Sequence, residues 1–157
     1  MFISLNNIIE FLVKSVANIN IIIFVEESNR LGMRQIPYVK SSLDANLPEF
    51  DYGYRYQFET DNNIPVTLEV LEKMGKILQA GIQLYYKPSI LFSKSKKHYE
   101  LLLNKLLDLY GHAYPSAFGG IEMINYQDRD TVCYITKTKV NDVEAITVRF
   151  GNRDFWG

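Results

Sequence analysis

His98, His112 and Cys133 carry the only imidazole and thiol groups of this 157-residue chain. An imidazole beside a thiol can make a nucleophile with its base, because the base draws off the proton that keeps the sulfur unreactive. His112 is the better placed histidine. It stands near Tyr114 in GHAYPSAFGG, residues 111–120, and loops carry a large share of functional side chains. A small hydrolase-like enzyme centred on His112, Tyr114 and Cys133 is therefore one reading. Against it, Cys133 falls in a strand pattern, where a lone cysteine serves as a small buried hydrophobe. His112 follows a helix end, where an imidazole meets the negative end of the dipole. Fourteen positions separate the two histidines, so a metal would lack a local ligand set. The chain has no G-x-S-x-G elbow, phosphate loop, dinucleotide fingerprint, H-E-x-x-H or calcium loop, and no cofactor or metal is implied.

The second concentration of chemistry is charge. Residues 44–61 hold Asp44, Glu49, Asp51, Glu59 and Asp61 against Arg55 alone, a local charge of -4. Within them DYGYRYQFETD places an aromatic at every second position from Tyr52 to Phe58, with Asp51, Gly53, Arg55, Gln57 and Glu59 between. Such alternation suits a strand whose aromatic side is buried and whose polar side faces out. Sheets that stack nucleic-acid bases pair their aromatic platform with a basic groove; here the charge has the opposite sign. An acidic surface edged with tyrosine suits a protein partner, and a basic one in particular. The expected partner-binding residues are thus Asp44, Glu49, Asp51, Tyr52, Arg55, Gln57, Glu59 and Asp61. Secondary candidates are His112, Tyr114 and the pair Arg153 and Trp156 in the closing RFGNRDFWG. That aromatic end either covers the core as a lid or stands out as an anchor. The basic run KSKKH, residues 94–98, reads as a solvated helix start.

Composition narrows the classes. A hydrophobic share of 47% and a charged share of 22% are ordinary globular usage, and one domain over residues 1–157 can remove roughly 70% of its unfolded surface from water. A net charge of -1 provides no field to gather nucleic acid or anionic lipid. Leu5 to Val25 is apolar, yet Glu10, Lys14 and the asparagines at 7, 18 and 20 exclude it as a membrane span. It also lacks the basic opening and small-residue cleavage site of an export signal. A single cysteine suits a reducing compartment, so the cytoplasm is the expected location.

The elements that must position these groups follow from periodicity. Ser4 caps a helix whose apolar face is Leu5, Ile8, Ile9, Leu12, Val13 and Val16. Ile19–Val25, β-branched and nearly continuous, reads as a central strand. Residues 26–48 read as a long connection with a short strand near 36–39. After the aromatic strand, Thr67 caps an expected second helix in which Leu68, Leu71, Gly75, Leu78 and Ile82 recur at three and four residues. If Gly81 ends it early, Ile82–Tyr86 starts a strand. A third helix runs from Ser93 or Ser95 to Tyr110, with Gly111 as its C-terminal stop. Strands over 121–126, 131–140 and 143–150 then form a meander. Helices and strands that do not alternate predict an α+β domain: a largely antiparallel sheet with about three helices packed against it.

A small, motif-free α+β chain of this kind, without an export signal, rich in Ile, Asn, Lys and Tyr and carrying the acidic patch at 44–61, resembles the immunity proteins of bacterial toxin systems. The resemblance covers the whole chain as a general style and transfers no site residue. It implies a non-catalytic protein that neutralises a cognate toxin by direct binding, and the acidic patch suits a basic toxin domain. A phage or accessory interaction protein fits the same features, and the hydrolase reading stands as the rival.

Overall fold

The computed structural model describes residues 3–18, 20–39, 49–61, 63–87, 94–140 and 142–156. Among these, eight strands form one antiparallel sheet in the order β1-β2-β3-β4-β8-β7-β6-β5. Their ranges are β1 Arg34–Ile36, β2 Tyr52–Glu59, β3 Pro65–Lys73, β4 Lys76–Tyr86, β5 Tyr114–Phe118, β6 Ile121–Gln127, β7 Thr131–Val140 and β8 Val143–Asn152. The helices are α1 Leu5–Asn18, α2 Ile21–Arg30, α3 Lys94–Tyr110 and the short α4 Arg153–Trp156. The α+β class, with helices packed on an antiparallel sheet, is therefore as expected.

Two elements differ from the expectation. The segment expected as a helix over 67–82 is the β3–β4 hairpin. Its apolar spacing also fits alternation, with Val66, Leu68 and Val70 on one strand and Leu78, Ala80, Ile82 and Leu84 on the other, all buried. The turn decides between the two patterns. Met74 (φ 53°) and Gly75 (φ 79°) both take positive φ, as a tight two-residue hairpin requires. Asp51 Oδ2 accepts from the Met74 amide at 2.8 Å, and Glu72 Oε1 from the Gly75 amide at 2.9 Å. The segment expected as a strand over 19–25 falls largely in α2. Asn20 caps that helix by accepting from the Ile23 amide at 3.0 Å, and Arg30 pairs with Glu27 one turn back at 2.7 Å. Capping and an i, i+3 ion pair outweigh the modest helix penalty of β-branched residues. Two smaller differences are that β1 lies at 34–36 and that the loop expected at 111–120 contains β5.

Both long helices lie on one side of the sheet: α1 packs on β4, β7 and β8, and α3 on β6 and β8. The core between them holds Ile8, Leu12, Leu102 and Leu106 from the helices, and Leu68, Ile82, Val148 and Phe150 from the strands. Lys105 ties α3 to Glu10 of α1 at 2.6 Å. Tyr110 shares a buried hydrogen bond of 2.7 Å with Thr131 on β7. Strand alternation sends the other half of every strand to the opposite face, on which no helix among the described residues packs.

Candidate functional site

The aromatic stripe of β2 is mostly core. Tyr56 is fully buried, and Tyr54 and Phe58 pack half-buried against the cluster. Phe24 of α2 meets Tyr56 at a ring distance of 6.5 Å. Tyr52 departs from the stripe, with 65% of its surface exposed.

The acids around β2 are spread along the strand. Asp51 and Glu59 stand eight positions apart, about 27 Å at the rise of a strand, with Asp61 beyond Glu59. Between them Arg55 pairs with Glu69 at 3.2 Å and lies over the Tyr38 ring at 5.6 Å. Gln57 accepts from Arg34 at 2.5 Å. Asp51 is exposed yet bound to the β3–β4 turn. Glu49, Glu59 and Asp61 are exposed, whereas Asp44 lies outside the described residues.

At the Asp51 end a different surface appears. The Ile21 amide donates to the Gly75 carbonyl at 2.9 Å, and the Asp51 amide to that of Glu72 at 2.8 Å. These bonds hold the start of α2, the β3–β4 turn and the start of β2 at one corner. There Ile22 is 66% exposed, Ile23 45%, Tyr52 65% and Met74 75%. Clustered large apolar side chains in water are the mark of an interaction surface, where scattered single ones are not. Around them stand Glu26, Glu49 and Asp51, together with Lys73 and Lys76. Tyr52 and Asp51 belong to the set expected from sequence; the isoleucines and Met74 emerge only once α2 and the hairpin are in place.

The face of the sheet opposite α1 and α3 holds a cavity of about 450 Å³. Register builds it row by row. In one row Glu69, Gly81, Arg149, Tyr134, Asn125 and Tyr114 stand opposite one another across β3, β4, β8, β7, β6 and β5. The adjoining row supplies Gln79, Gly151, Val132 and Gln127. Gly81 gives Arg149 its place: a β-carbon there would lie 2.8 Å from Arg149 Cγ and 3.1 Å from the Val148 carbonyl oxygen. Burial raises the Tyr134 hydroxyl above its ordinary range, and the nearby Arg149 guanidinium opposes that shift.

The enzyme residues expected from sequence are brought together only in part. Tyr114 and Cys133 both border the open cavity. Cys133 stands on the alternate side of β7, opposite Phe150 and Tyr126 in the core. Burial pushes its thiol well up, away from the reactive thiolate. The exposed His112 ring lies 6.4 Å from that of Tyr114. Arg153 is held at the β6–β7 turn, its amide donating to the Asp130 carbonyl at 2.9 Å and its guanidinium to that of Asp128 at 2.5 Å. The Trp156 side chain, expected as lid or anchor, lies outside the described residues. Among the described residues no cluster of His, Cys, Asp and Glu suits a metal ion, and no helix is long and apolar enough to cross a membrane.

His98 is buried, and its Nδ1 shares a hydrogen bond of 2.8 Å with the Tyr86 hydroxyl. Burial first, then Lys97 and Lys94, lower its pKa from 6.5, with Asp61 opposing. Above pH 6.5 both folded and unfolded chains hold a neutral imidazole. Below it the unfolded chain takes up the proton first, so stability falls with pH until the folded pKa is reached. The urea midpoint should drop between pH 7.5 and 5.5, and His98→Gln should flatten that drop. No protein-family model, curated protein or solved structure matches this chain.

Proposed function

We propose that this is a non-catalytic binding protein that captures a protein partner at the corner formed by Ile22, Ile23, Tyr52 and Met74. The supporting observation is the exposure of these four large side chains on three elements bound together there. Interfaces draw most of their affinity from a few apolar and aromatic anchors, with a polar rim that contributes less. The rim mixes Glu26, Glu49 and Asp51 with Lys73 and Lys76, so apolar contact sets the affinity and the charges orient the partner. The most specific form of the reading is an immunity protein that neutralises a cognate bacterial toxin, a basic domain being the kind its acidic residues suit, by direct binding. Burial of the only thiol, which holds it away from the reactive thiolate, supports binding over hydrolysis.

On this reading a toxin gene adjoins the one for this chain, and its product is the partner to test. Co-expression of the chain should restore growth, and calorimetry should show a saturable complex. Ile23→Lys and Met74→Lys alter exposed positions, so the fold should persist while affinity falls about tenfold to a hundredfold for each. Glu59→Lys with Asp61→Lys, at the other end of β2, should change affinity far less. Unchanged affinity in both corner variants would remove the corner from the argument; failure of the chain to bind or protect would remove the immunity reading.

A further inference from the structure

We propose that the cavity on the face of the sheet opposite α1 and α3 binds a small organic carboxylate, anchored by Arg149. Its residues are separate from those of the apolar corner. Four observations carry the assignment.

Arg149 brings a fixed positive charge to the cavity wall, and among the described residues no carboxylate lies within ion-pair distance of it. The nearest acid in its own row, Glu69, is engaged by Arg55. A guanidinium presents paired donors in a plane, the geometry that matches the two oxygens of a carboxylate.

The remaining polar lining is neutral: Gln79, Ser116, Asn125 and Gln127. These side chains can hydrogen-bond a polar ligand without adding a second cation. One positive group suits a monoanion better than a phosphate, which carries more charge and is commonly met by several cations.

Tyr114 and Tyr134 stand on either side of Asn125 in one row. Together with Val132 they provide flat, apolar surface for the body of a molecule behind its charged group. The volume of about 450 Å³ falls within the usual range of small-molecule sites, roughly 300 to 1,000 Å³. A single acidic side chain from a partner would fill only a small part of it.

Finally, the sequence places glycine where the arginine stem crosses the neighbouring strand. Gly81 lies in a central strand, where glycine weakens packing, and it leaves the space that Arg149 occupies.

The proposal is tested by nuclear magnetic resonance titration of the isotope-labelled full chain with three acids, each paired with its neutral carboxamide: benzoate, 4-hydroxyphenylacetate and N-acetylphenylalanine. At least one acid should give saturable shifts centred on Gln79, Asn125, Tyr134 and Arg149, and should bind about tenfold or more tightly than its amide. Arg149→Gln should abolish that preference with the spectrum otherwise folded. The acid–amide comparison on the unaltered chain stands even if the variant unfolds. Equal binding of acid and amide, shifts away from these residues, or no saturable shift with any acid at millimolar concentration would overturn it. Corner variants should leave these titrations unchanged, so failure of one site does not imply failure of the other.

Discussion

Replacing Phe150 with alanine is expected to lower the stability of the whole domain by about 3–5 kcal/mol, the usual cost of deleting a fully buried aromatic ring. Phe150 is completely buried on β8, between β4 and β7 near the middle of the sheet. Its cross-strand neighbours are Ala80 and Cys133, both small. The ring therefore fills space that those two positions leave, and neither can move in to close the cavity that alanine would open. Marginal stability makes such a loss a large fraction of the roughly 5–15 kcal/mol that holds a domain together. Urea unfolding should show a lower midpoint with little change in slope, because the surface exposed on unfolding stays nearly the same. A loss below about 1 kcal/mol would mean that the sheet packs differently around β8.

Phe24→Ala should cost a similar amount in contacts but produce a different failure. Phe24 is fully buried and stacks on Phe11 at a ring distance of 5.0 Å, with Tyr56 beyond. Ile21 and Ser28 are the other buried residues of α2, so the helix is held chiefly by one aromatic side chain and the bonds at its start. Removing the ring should release α2 before the sheet opens. Hydrogen exchange should then be fast across residues 21–30 while the amides of β4, β7 and β8 stay protected. Uniform loss of protection would show instead that α2 and the sheet open as one unit. Because Ile22 and Ile23 ride on this helix, the same variant should also weaken partner capture without touching an exposed residue.

Legibility in the sequence followed the range of the interactions involved. The α1 helix, the α3 helix and the closing meander were readable because each satisfies its pattern within one short window. Ser4 accepts from the Asn7 amide at 3.2 Å at the start of α1, and Gly111 takes φ 84° just past α3. The β3–β4 hairpin was misread because apolar residues at 68, 71, 75, 78 and 82 satisfy helical spacing, while those at 66, 68, 70, 78, 80, 82 and 84 satisfy alternation. Only the positive φ of Met74 and Gly75 separates the two. Gly75, counted in the helical spacing, is instead part of the turn. In α2, β-branched Ile21, Ile22, Ile23 and Val25 pointed to a strand, but the Asn20 cap and the Glu27–Arg30 pair make a helix.

The two sites show the same division. Tyr52 and Asp51 were picked out by alternation and charge, but their companions Ile22, Ile23 and Met74 reach that corner through hydrogen bonds between distant segments. The cavity residues come from five strands: Gln79 on β4, Arg149 on β8, Tyr134 on β7, Asn125 on β6 and Tyr114 on β5. No window of sequence holds more than two of them. Strand register, which assembles the row, depends on pairings that sequence spacing does not display.

The outermost strands have a bearing on self-association. One margin of the sheet is β1, only three residues long, and the other is β5, whose five residues include Pro115. A strand from a second molecule needs a run of free amide donors and carbonyl acceptors to dock against. At β1 that run is too short to hold it, and at β5 proline interrupts it by having no N–H. Edge-to-edge growth into fibrils is therefore disfavoured at both margins, which leaves the sheet finite despite its eight strands.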